Sequence, residues 1–169
     1  MPTGDFDVLL IDDDSNLHLI YDRLLKEAFA DGVSFEACGD ESGLKNLLKS
    51  RTQPDVIILD QKLDNGTRGM DLVSEIRRSW PRSFIVMNSA YGSEDLAVEA
   101  IRHGVDDYVE GRKQDSGALI SAITRGIERQ QCRLMTFSSV EAIPSVGNRV
   151  CKTRFEETKA RIEASLSGG

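Results

Sequence analysis

The sequence has no run of apolar residues near the ~18 that a helix needs to cross a bilayer. Residues Met1 to Asp5 also lack the basic and apolar regions of a secretory signal peptide. Cysteine is scarce, because Cys38, Cys132 and Cys151 are odd in number and show no C-x-x-C spacing. These absences argue against a membrane span, a disulfide framework and a cysteine zinc site, and we expect a protein of the reducing cytoplasm.

Basic residues are outnumbered by acidic ones. The chain has 21 Lys and Arg against 28 Asp and Glu, which gives a net charge of −7. A protein whose main partner is nucleic acid concentrates Lys and Arg against the phosphates, so we do not expect that class of partner here. With 169 residues, the chain suits one well-buried domain plus an appendage.

Strand-like and helix-like segments alternate along most of the chain. Apolar runs predict strands at 7–12, 33–37, 55–60, 83–88 and 105–109. Apolar residues at helical spacing predict helices at 15–30, 41–50, 70–79, 93–103 and 115–131. Five such units predict an α/β fold, in which helices cover both faces of a parallel sheet.

The end of the chain, residues 132–169, has a different pattern. Ser138-Ser139 and the segment 144–148 are typical of a linker, and residues 151–166 predict a helix. We therefore divide the chain into a domain at 5–131 and a linker with a helical tail at 132–169. Three interpretations of the tail remain open. It could be a dimerising helix, which would give a homodimer, or a connector to an output domain, or a frayed end.

Two of the predicted strands end in acidic residues. Asp12 to Asp14 follow the first strand, and Asp60 ends the third. Parallel strands have their carboxyl ends at one edge of the sheet, so these acids can converge there. Close carboxylates repel one another and favour a hard divalent cation with oxygen ligands. The pattern predicts a Mg²⁺-dependent phosphoryl site.

Four motifs, in order, resemble the receiver domain of two-component response regulators over residues 5–131. They are Ile11 to Ser15, Val56 to Leu63, Ser89 to Gly92 and Gly104 to Val109. The resemblance implies a flavodoxin-like, doubly wound sheet of five parallel strands in the order 2-1-3-4-5, with a C-terminal helical extension. It also implies a signalling module rather than an enzyme, whose partners are a histidine kinase or histidine phosphotransfer protein and an output protein or domain still to be identified.

The resemblance implies a role for each residue at a matching position. Asp60 would be the phosphoacceptor of a phosphorelay. Ser89 would donate its hydroxyl to the phosphoryl group, and Tyr108 would turn inward as the second switch residue. The helix at 93–103 and the strand after it would then form an altered interaction face.

The same resemblance implies a Mg²⁺ site. Asp13, Asp60 and the backbone carbonyl of Lys62 would hold the ion, and Asp12 would act through water. Mg²⁺ prefers octahedral oxygen coordination and retains several waters, so a few protein ligands are enough.

One part of the family pattern is missing. The family has a lysine three residues after the switch aromatic and a proline after that lysine, whereas this chain has Gly111 and Arg112. Lys62, Arg112 and Lys113 are three alternative sources of the missing positive charge. Arginine would offer a bidentate fork to phosphate, and lysine a flexible point charge.

Two other functions compete with a phosphorylated receiver. Gly111 motivates the first, a pseudo-receiver that signals through protein contacts without stable phosphorylation. The second is a Mg²⁺-dependent phosphatase with an aspartyl-phosphate intermediate. Such phosphatases usually carry a second aspartate two residues after the nucleophile, and that position is Lys62 here.

Overall fold

The computed structural model describes residues 6–63, 66–90, 92–110 and 116–138, with every side chain in these ranges except those of Asp31 and residues 133–138. The strands are β1 (Phe6–Ile11), β2 (Val33–Cys38), β3 (Val56–Asp60), β4 (Phe84–Ser89) and β5 (Asp107–Glu110). The helices are α1 (Ser15–Phe29), α2 (Glu41–Ser50), α3 (Gly69–Ser79), α4 (Glu94–Arg102) and α5 (Ser116–Ser138), and a short 3-10 helix (Ala30–Gly32) precedes β2.

The strands form one parallel sheet in the order β2-β1-β3-β4-β5. The predicted fold class and strand order are therefore confirmed. From β1 the chain builds outward to β2 on one side, and from β3 it builds outward to β5 on the other. The order thus reverses between β1 and β3, and ligand sites of open α/β sheets lie at such a switch point, beyond the carboxyl ends of the strands.

Alternate strand residues face two separate hydrophobic layers. Leu9, Ile57 and Met87 face the layer beneath α2, α3 and α4, whereas Leu10 and Ile58 face the layer beneath α1 and α5. All five side chains are fully buried. Because the central strands are covered on both faces, the loops at their carboxyl ends are carried on a well-packed support.

The N-cap of α1 is Asp14, one residue before the Ser15 at which the helix begins. The Asp14 side chain accepts a hydrogen bond from the backbone N–H of Asn16 at 3.0 Å. Aspartate and serine are about equally good N-caps, so the sequence alone does not choose between these neighbours. The acidic cluster therefore divides, with Asp14 capping the helix and Asp12 and Asp13 left nearer the strand end.

The end of α4 explains why β5 begins later than the predicted residue 105. Gly104 has a positive φ of 99°, and its N–H donates to the Ile101 carbonyl at 3.0 Å. The N–H of Val105 donates to the Ala100 carbonyl at 3.1 Å. These two bonds form a Schellman motif, so Val105 closes the helix and the strand starts only at Asp107.

The last helix, α5, continues past the predicted end at residue 131 as far as Ser138. Residues 132–138 contain neither glycine nor proline, so nothing in them stops a helix. The predicted domain boundary therefore falls within a helix, and the tail at 139–169 lies outside the described residues. Of the helices in the described part of the chain, none, α5 included, combines the length and apolar character of a membrane span.

Candidate functional site

Strands β1 and β3 bring two acidic segments together at the carboxyl edge of the sheet. Ile11 and Leu59 are partners in the parallel register. The next residue on each segment is an acid, so Asp12 and Asp60 follow this pair at neighbouring positions. Asp12 is only 4% exposed and Asp60 is half-buried. Two carboxylates are thus drawn out of water beside one another.

The electrostatics of this edge reflect that proximity. Burial, together with the charges of Asp12 and Asp13, raises the pKa of Asp60 to about 6, and a hydrogen bond from the Lys62 N–H opposes the shift. The pKa of Asp12 is raised too, first by burial and then by neighbouring acids. The site therefore has a surplus of negative potential that a cation would relieve.

Asp60→Asn is expected to stabilise the metal-free protein at neutral pH. The carboxyl pKa is about 6 in the folded protein and 3.8 in the reference state, so the stability that it contributes is complete below pH 3.8 and is lost as the pH rises through 6. We expect the free energy of unfolding, measured in urea with EDTA at pH 7.5, to rise by about 1–2 kcal/mol after allowance for solvent screening. The gain should shrink between pH 6 and pH 4, and a gain independent of pH would contradict the raised pKa of Asp60.

The loop after β3 presents the backbone of Lys62 to the Asp60 carboxylate. The N–H of Lys62 donates to Asp60 Oδ2 at 2.9 Å. Lys62 also forms an antiparallel bridge with Arg68, but the backbone hydrogen bonds on either side of this bridge do not use the Lys62 carbonyl. The side chain of Lys62 is exposed.

Gly69, the first residue of α3, allows the loop to return across the end of β3. A Cβ atom at residue 69 would lie 2.0 Å from the backbone oxygen of Asp60. The Gly69 N–H donates to the Gln61 carbonyl at 3.0 Å. Glycine is required here because the backbone approaches so closely.

The carboxylates of Asp12, Asp13 and Asp60 are hard oxygen ligands of the kind that Mg²⁺ prefers. The resemblance to the receiver family adds the backbone carbonyl of Lys62 as an expected ligand. In the described ranges, no group of three or more His, Cys, Asp or Glu side chains is arranged to hold a metal ion by itself. Water would therefore have to complete the coordination, as is usual for Mg²⁺.

Tyr21 and Asn88 border the acids, although sequence reasoning did not find them. Asn88 Nδ2 donates to the Tyr21 hydroxyl at 2.7 Å. Burial and the charges of Asp12 and Asp60 raise the pKa of Tyr21 to about 12, so it remains a neutral phenol. Asn88 had one usable signal, since it is a polar residue within an apolar strand and pairs in register with Asp60.

Ser89 lies at the end of β4, on the strand next to the one that ends in Asp60. It is 2% exposed, and its hydroxyl donates to Oε1 of Gln61. The backbone N–H of Gln61 donates to the Asn88 carbonyl at 3.1 Å, which ties the two segments together. The predicted switch hydroxyl of Ser89 is therefore close to Asp60 in the fold, but it is hydrogen-bonded to Gln61, the residue after Asp60.

Tyr108 lies on β5, where it pairs in register with Met87. Its ring packs against the hydrophobic layer beneath α3 and α4. Its hydroxyl is buried and makes no hydrogen bond to another described residue. A Cβ at Gly92 would lie 2.9 Å from this hydroxyl, so Tyr108 reaches the loop between β4 and α4.

The segment that departs from the family pattern lies outside the described residues. Gly111, Arg112 and Lys113 fall in the range 111–115, between β5 and α5. Their contribution to the charge of the site remains a prediction.

Residues 8–124 match the model of the response regulator receiver domain. This match covers most of the chain, which therefore belongs to the response regulator receiver family. Receiver domains are signalling modules that are phosphorylated by histidine kinases, generally bind Mg²⁺ at the phosphorylation site and pass the signal to output domains.

Curated relatives agree with this assignment. The regulatory protein LuxO of Vibrio vulnificus is 33% identical over 100 residues, which are 59% of this chain and 21% of LuxO. The nitrogen assimilation regulatory protein NtrX of Azorhizobium caulinodans is 29% identical over 129 residues, 75% of this chain and 27% of NtrX. The chain thus spans about a fifth to a quarter of the length of these relatives.

Solved structures share the same architecture. A response regulator receiver domain protein from Clostridium thermocellum aligns with a TM-score of 0.64 at 25% identity, over 75% of this chain and 98% of that one. A CheY-like receiver domain protein from Methanospirillum hungatei has the same fold, with a TM-score of 0.63 at 17% identity over 75% and 97% of the two chains. The chain is a two-component phosphorelay receiver, and none of these comparisons favours the pseudo-receiver alternative.

Proposed function

We propose that Asp60 accepts the phosphoryl group, from a histidine kinase or a histidine phosphotransfer protein. The observation that carries this proposal is the position of the half-buried Asp60 carboxylate, at the carboxyl end of β3 and next to the acids that follow β1. Phosphoryl transfer depends mainly on positioning and on neutralisation of charge. A carboxylate with a pKa of about 6 is largely ionised, and hence nucleophilic, at neutral pH.

The reaction is a transfer between two side chains. A carboxylate oxygen of Asp60 forms a bond to the phosphorus of a phosphohistidine while the nitrogen–phosphorus bond breaks. The bonding electrons return to the imidazole ring, which takes up a proton, and Asp60 becomes an acyl phosphate. The N–H of Lys62, which donates to Asp60 Oδ2 at 2.9 Å, orients the carboxylate for this attack.

The carboxylates of Asp13 and Asp60 and the carbonyl of Lys62 would hold Mg²⁺, with Asp12 contributing through water. When bound, the ion supplies positive charge that offsets the charge on the phosphoryl oxygens. The clustering of acids around Asp60 and the raised pKa of its carboxyl support this role.

We further propose that Ser89 and Tyr108 form the switch. After transfer, the Ser89 hydroxyl donates to a phosphoryl oxygen, which moves the loop between β4 and α4. Tyr108 already reaches that loop near Gly92, so a shift there changes the room around its ring. The altered surface of α4 and β5 would then bind the output protein or domain.

The remaining features of the proposal concern charge, compartment and the tail. Lys62 is the first candidate to replace the family lysine, because its exposed side chain is two residues from Asp60, and Arg112 and Lys113 are the alternatives.

We propose a cytoplasmic signalling protein without enzymatic turnover, nucleic-acid binding or membrane attachment. The domain would occupy 5–131, and the tail at 132–169 would serve as a linker or a dimerising helix.

Intact-mass measurement with acetyl phosphate tests the proposal. With Mg²⁺, the wild-type chain should gain the mass of one phosphoryl group, and with EDTA it should gain none. Asp60→Asn should not be labelled under either condition. Asp14→Asn is the matched control, since Asp14 belongs to the same acidic cluster but caps α1, and it should be labelled like the wild type. Equal labelling of Asp60→Asn would refute the proposed acceptor.

A further inference from the structure

The strongest unassigned feature of the molecule is the hydrogen bond between Tyr21 of α1 and Asn88 of β4, beside the acids. Asn88 Nδ2 donates to the Tyr21 hydroxyl oxygen at 2.7 Å, and both residues are half-buried. Neither residue belongs to the four motifs that resemble the receiver family. The proposed phosphoryl chemistry has given neither side chain a role.

Asn88 fixes the position of this pair relative to the proposed phosphoacceptor. Asn88 and Asp60 are partners in the parallel register of β4 and β3. Register partners on adjacent strands lie about 5 Å apart, and their side chains point to the same face of the sheet. That face is the one beneath α1 and α5, since Ile58 and Val86, two residues earlier on the same strands, belong to its hydrophobic layer. The Tyr21 hydroxyl therefore lies on the side of the sheet from which Asp60 projects, close to its carboxyl.

The Tyr21 hydroxyl has a proton to donate toward the acids. A phenolic oxygen that accepts one hydrogen bond still carries its own proton. Among the residues that the structure describes, none accepts that proton. Burial, together with the charges of Asp12 and Asp60, raises the pKa of Tyr21 to about 12, so the phenol is neutral at pH 7. The negative potential of the same acids favours a proton directed toward them.

A phosphoryl group on Asp60 calls for several hydrogen-bond donors. It adds three strong acceptor oxygens, and a half-buried anion is costly without partners. The Ser89 hydroxyl is one proposed donor. Gly111, which takes the place of the family lysine, has no side chain to contribute another. A neutral donor on the α1 side of Asp60 meets this need.

We propose that the Tyr21 hydroxyl donates a hydrogen bond to a phosphoryl oxygen on Asp60, and that Asn88 is the positioning residue that holds the phenol for this contact. This inference rests on the proposed function of Asp60. It adds a donor to the site but no charge, so the source of the missing positive charge is a separate matter. The phenol keeps its proton, and no bond other than the hydrogen bond forms or breaks.

Beryllofluoride, a phosphoryl mimic that offers three fluorine acceptors, provides the test in the full chain with saturating Mg²⁺. Tyr21→Phe keeps the ring and removes only the hydroxyl. We expect this variant to bind the mimic about tenfold more weakly than the wild type, which is the lower end of what a hydrogen bond to a charged group contributes.

Thr124→Val is the matched control for removal of a hydroxyl. The half-buried Thr124 hydroxyl donates to the Ile120 carbonyl within α5 at 2.8 Å. A Cβ at Gly126, two residues further on, would lie 2.7 Å from the ring of Phe84, the first residue of β4. Thr124 is therefore near the edge of the sheet opposite the acids, and the variant should bind beryllofluoride like the wild type.

Fluorine spectra of the bound mimic separate a direct contact from a structural role. The Tyr21 hydroxyl should donate to one fluorine, so Tyr21→Phe should shift one of the three resonances far more than the other two. The affinity for Mg²⁺ without the mimic should be unchanged, because the acids keep their places. Asn88→Ala should weaken binding of the mimic, but it should weaken it no further once Tyr21→Phe is present, since Asn88 acts through the phenol.

An unchanged affinity of Tyr21→Phe for beryllofluoride, fluorine resonances that all shift equally or not at all, or a parallel loss of Mg²⁺ affinity would overturn the inference. Asp60→Asn tests the proposed acceptor separately. If the wild type binds the mimic and Asp60→Asn does not, Asp60 stands as the acceptor whatever Tyr21→Phe shows. A wild type that does not bind the mimic would remove both proposals.

Discussion

Replacement of Asp12 and Asp13 by asparagine is expected to strengthen the metal-free fold and to weaken Mg²⁺ binding in the same protein. The pKa of Asp12 is raised by burial and by neighbouring acids, so its ionised form destabilises the fold once the pH exceeds its ordinary value of 3.8. Asparagine removes this charge but keeps an oxygen to accept the N–H of Asp14, a bond of 2.9 Å. The urea midpoint in EDTA at pH 7.5 should therefore increase.

The affinity for Mg²⁺ should fall by about 10- to 100-fold in the same variant, because it loses carboxylate charge beside the ion. Titration followed by chemical shifts measures this affinity. Asp14→Asn is again the control, since asparagine caps a helix as well as aspartate does, and both measurements should match the wild type. Two changes of the same sign, either more stable with tighter binding or less stable with weaker binding, would contradict a site built on repelling carboxylates.

Gly69→Ala is expected to lower the free energy of unfolding by about 3 kcal/mol. Its methyl group would lie 2.0 Å from the Asp60 backbone oxygen, so either the end of β3 or the start of α3 must move. Such a shift would also displace the Asp60 carboxylate from its bond to Lys62 and slow labelling by acetyl phosphate. Urea unfolding and the initial rate of labelling measure the two effects.

Gly32→Ala is the control for the added methyl group. A Cβ at residue 32 would meet Phe6 at 3.8 Å, which is ordinary van der Waals contact. We expect its stability to change by no more than about 1 kcal/mol. If Gly69→Ala were equally mild, the close approach across the strand end would not hold Asp60 in place.

The sequence predicts the sheet well because its strongest patterns, the continuous apolar runs, can be buried in only one kind of arrangement. Strands such as β3 and β4 are continuous apolar runs, and only a sheet covered on both faces buries all of their side chains. Helix ends are predicted less well. The N-cap of α1 depends on a choice between two adjacent good caps, and the end of α5 depends on the absence of a stop signal.

The residues of the candidate site also fall into two groups, those that the sequence predicts and those that it does not. Strand termination alone places Asp12 and Asp60 at one edge, so sequence reasoning finds them. The sequence does not identify Tyr21 as a site residue, because Tyr21 also fits the apolar face of α1. Its hydrogen bond with Asn88 forms only when the helix packs on the sheet. The role of Gln61 is not found because its partner Ser89 is 28 residues away, and no periodic pattern predicts a contact between the end of one strand and the loop after another.

The most direct test of the claim that Asp60 is the esterified acid is to locate the phosphoryl group. Borohydride reduces an acyl phosphate to an alcohol, so a phosphorylated aspartate becomes homoserine. After labelling with Mg²⁺ and digestion with trypsin, the peptide of residues 52–62 contains both Asp55 and Asp60. We predict homoserine at residue 60 alone. Homoserine at Asp55 or at any other acid, with residue 60 unchanged, would contradict the proposed site.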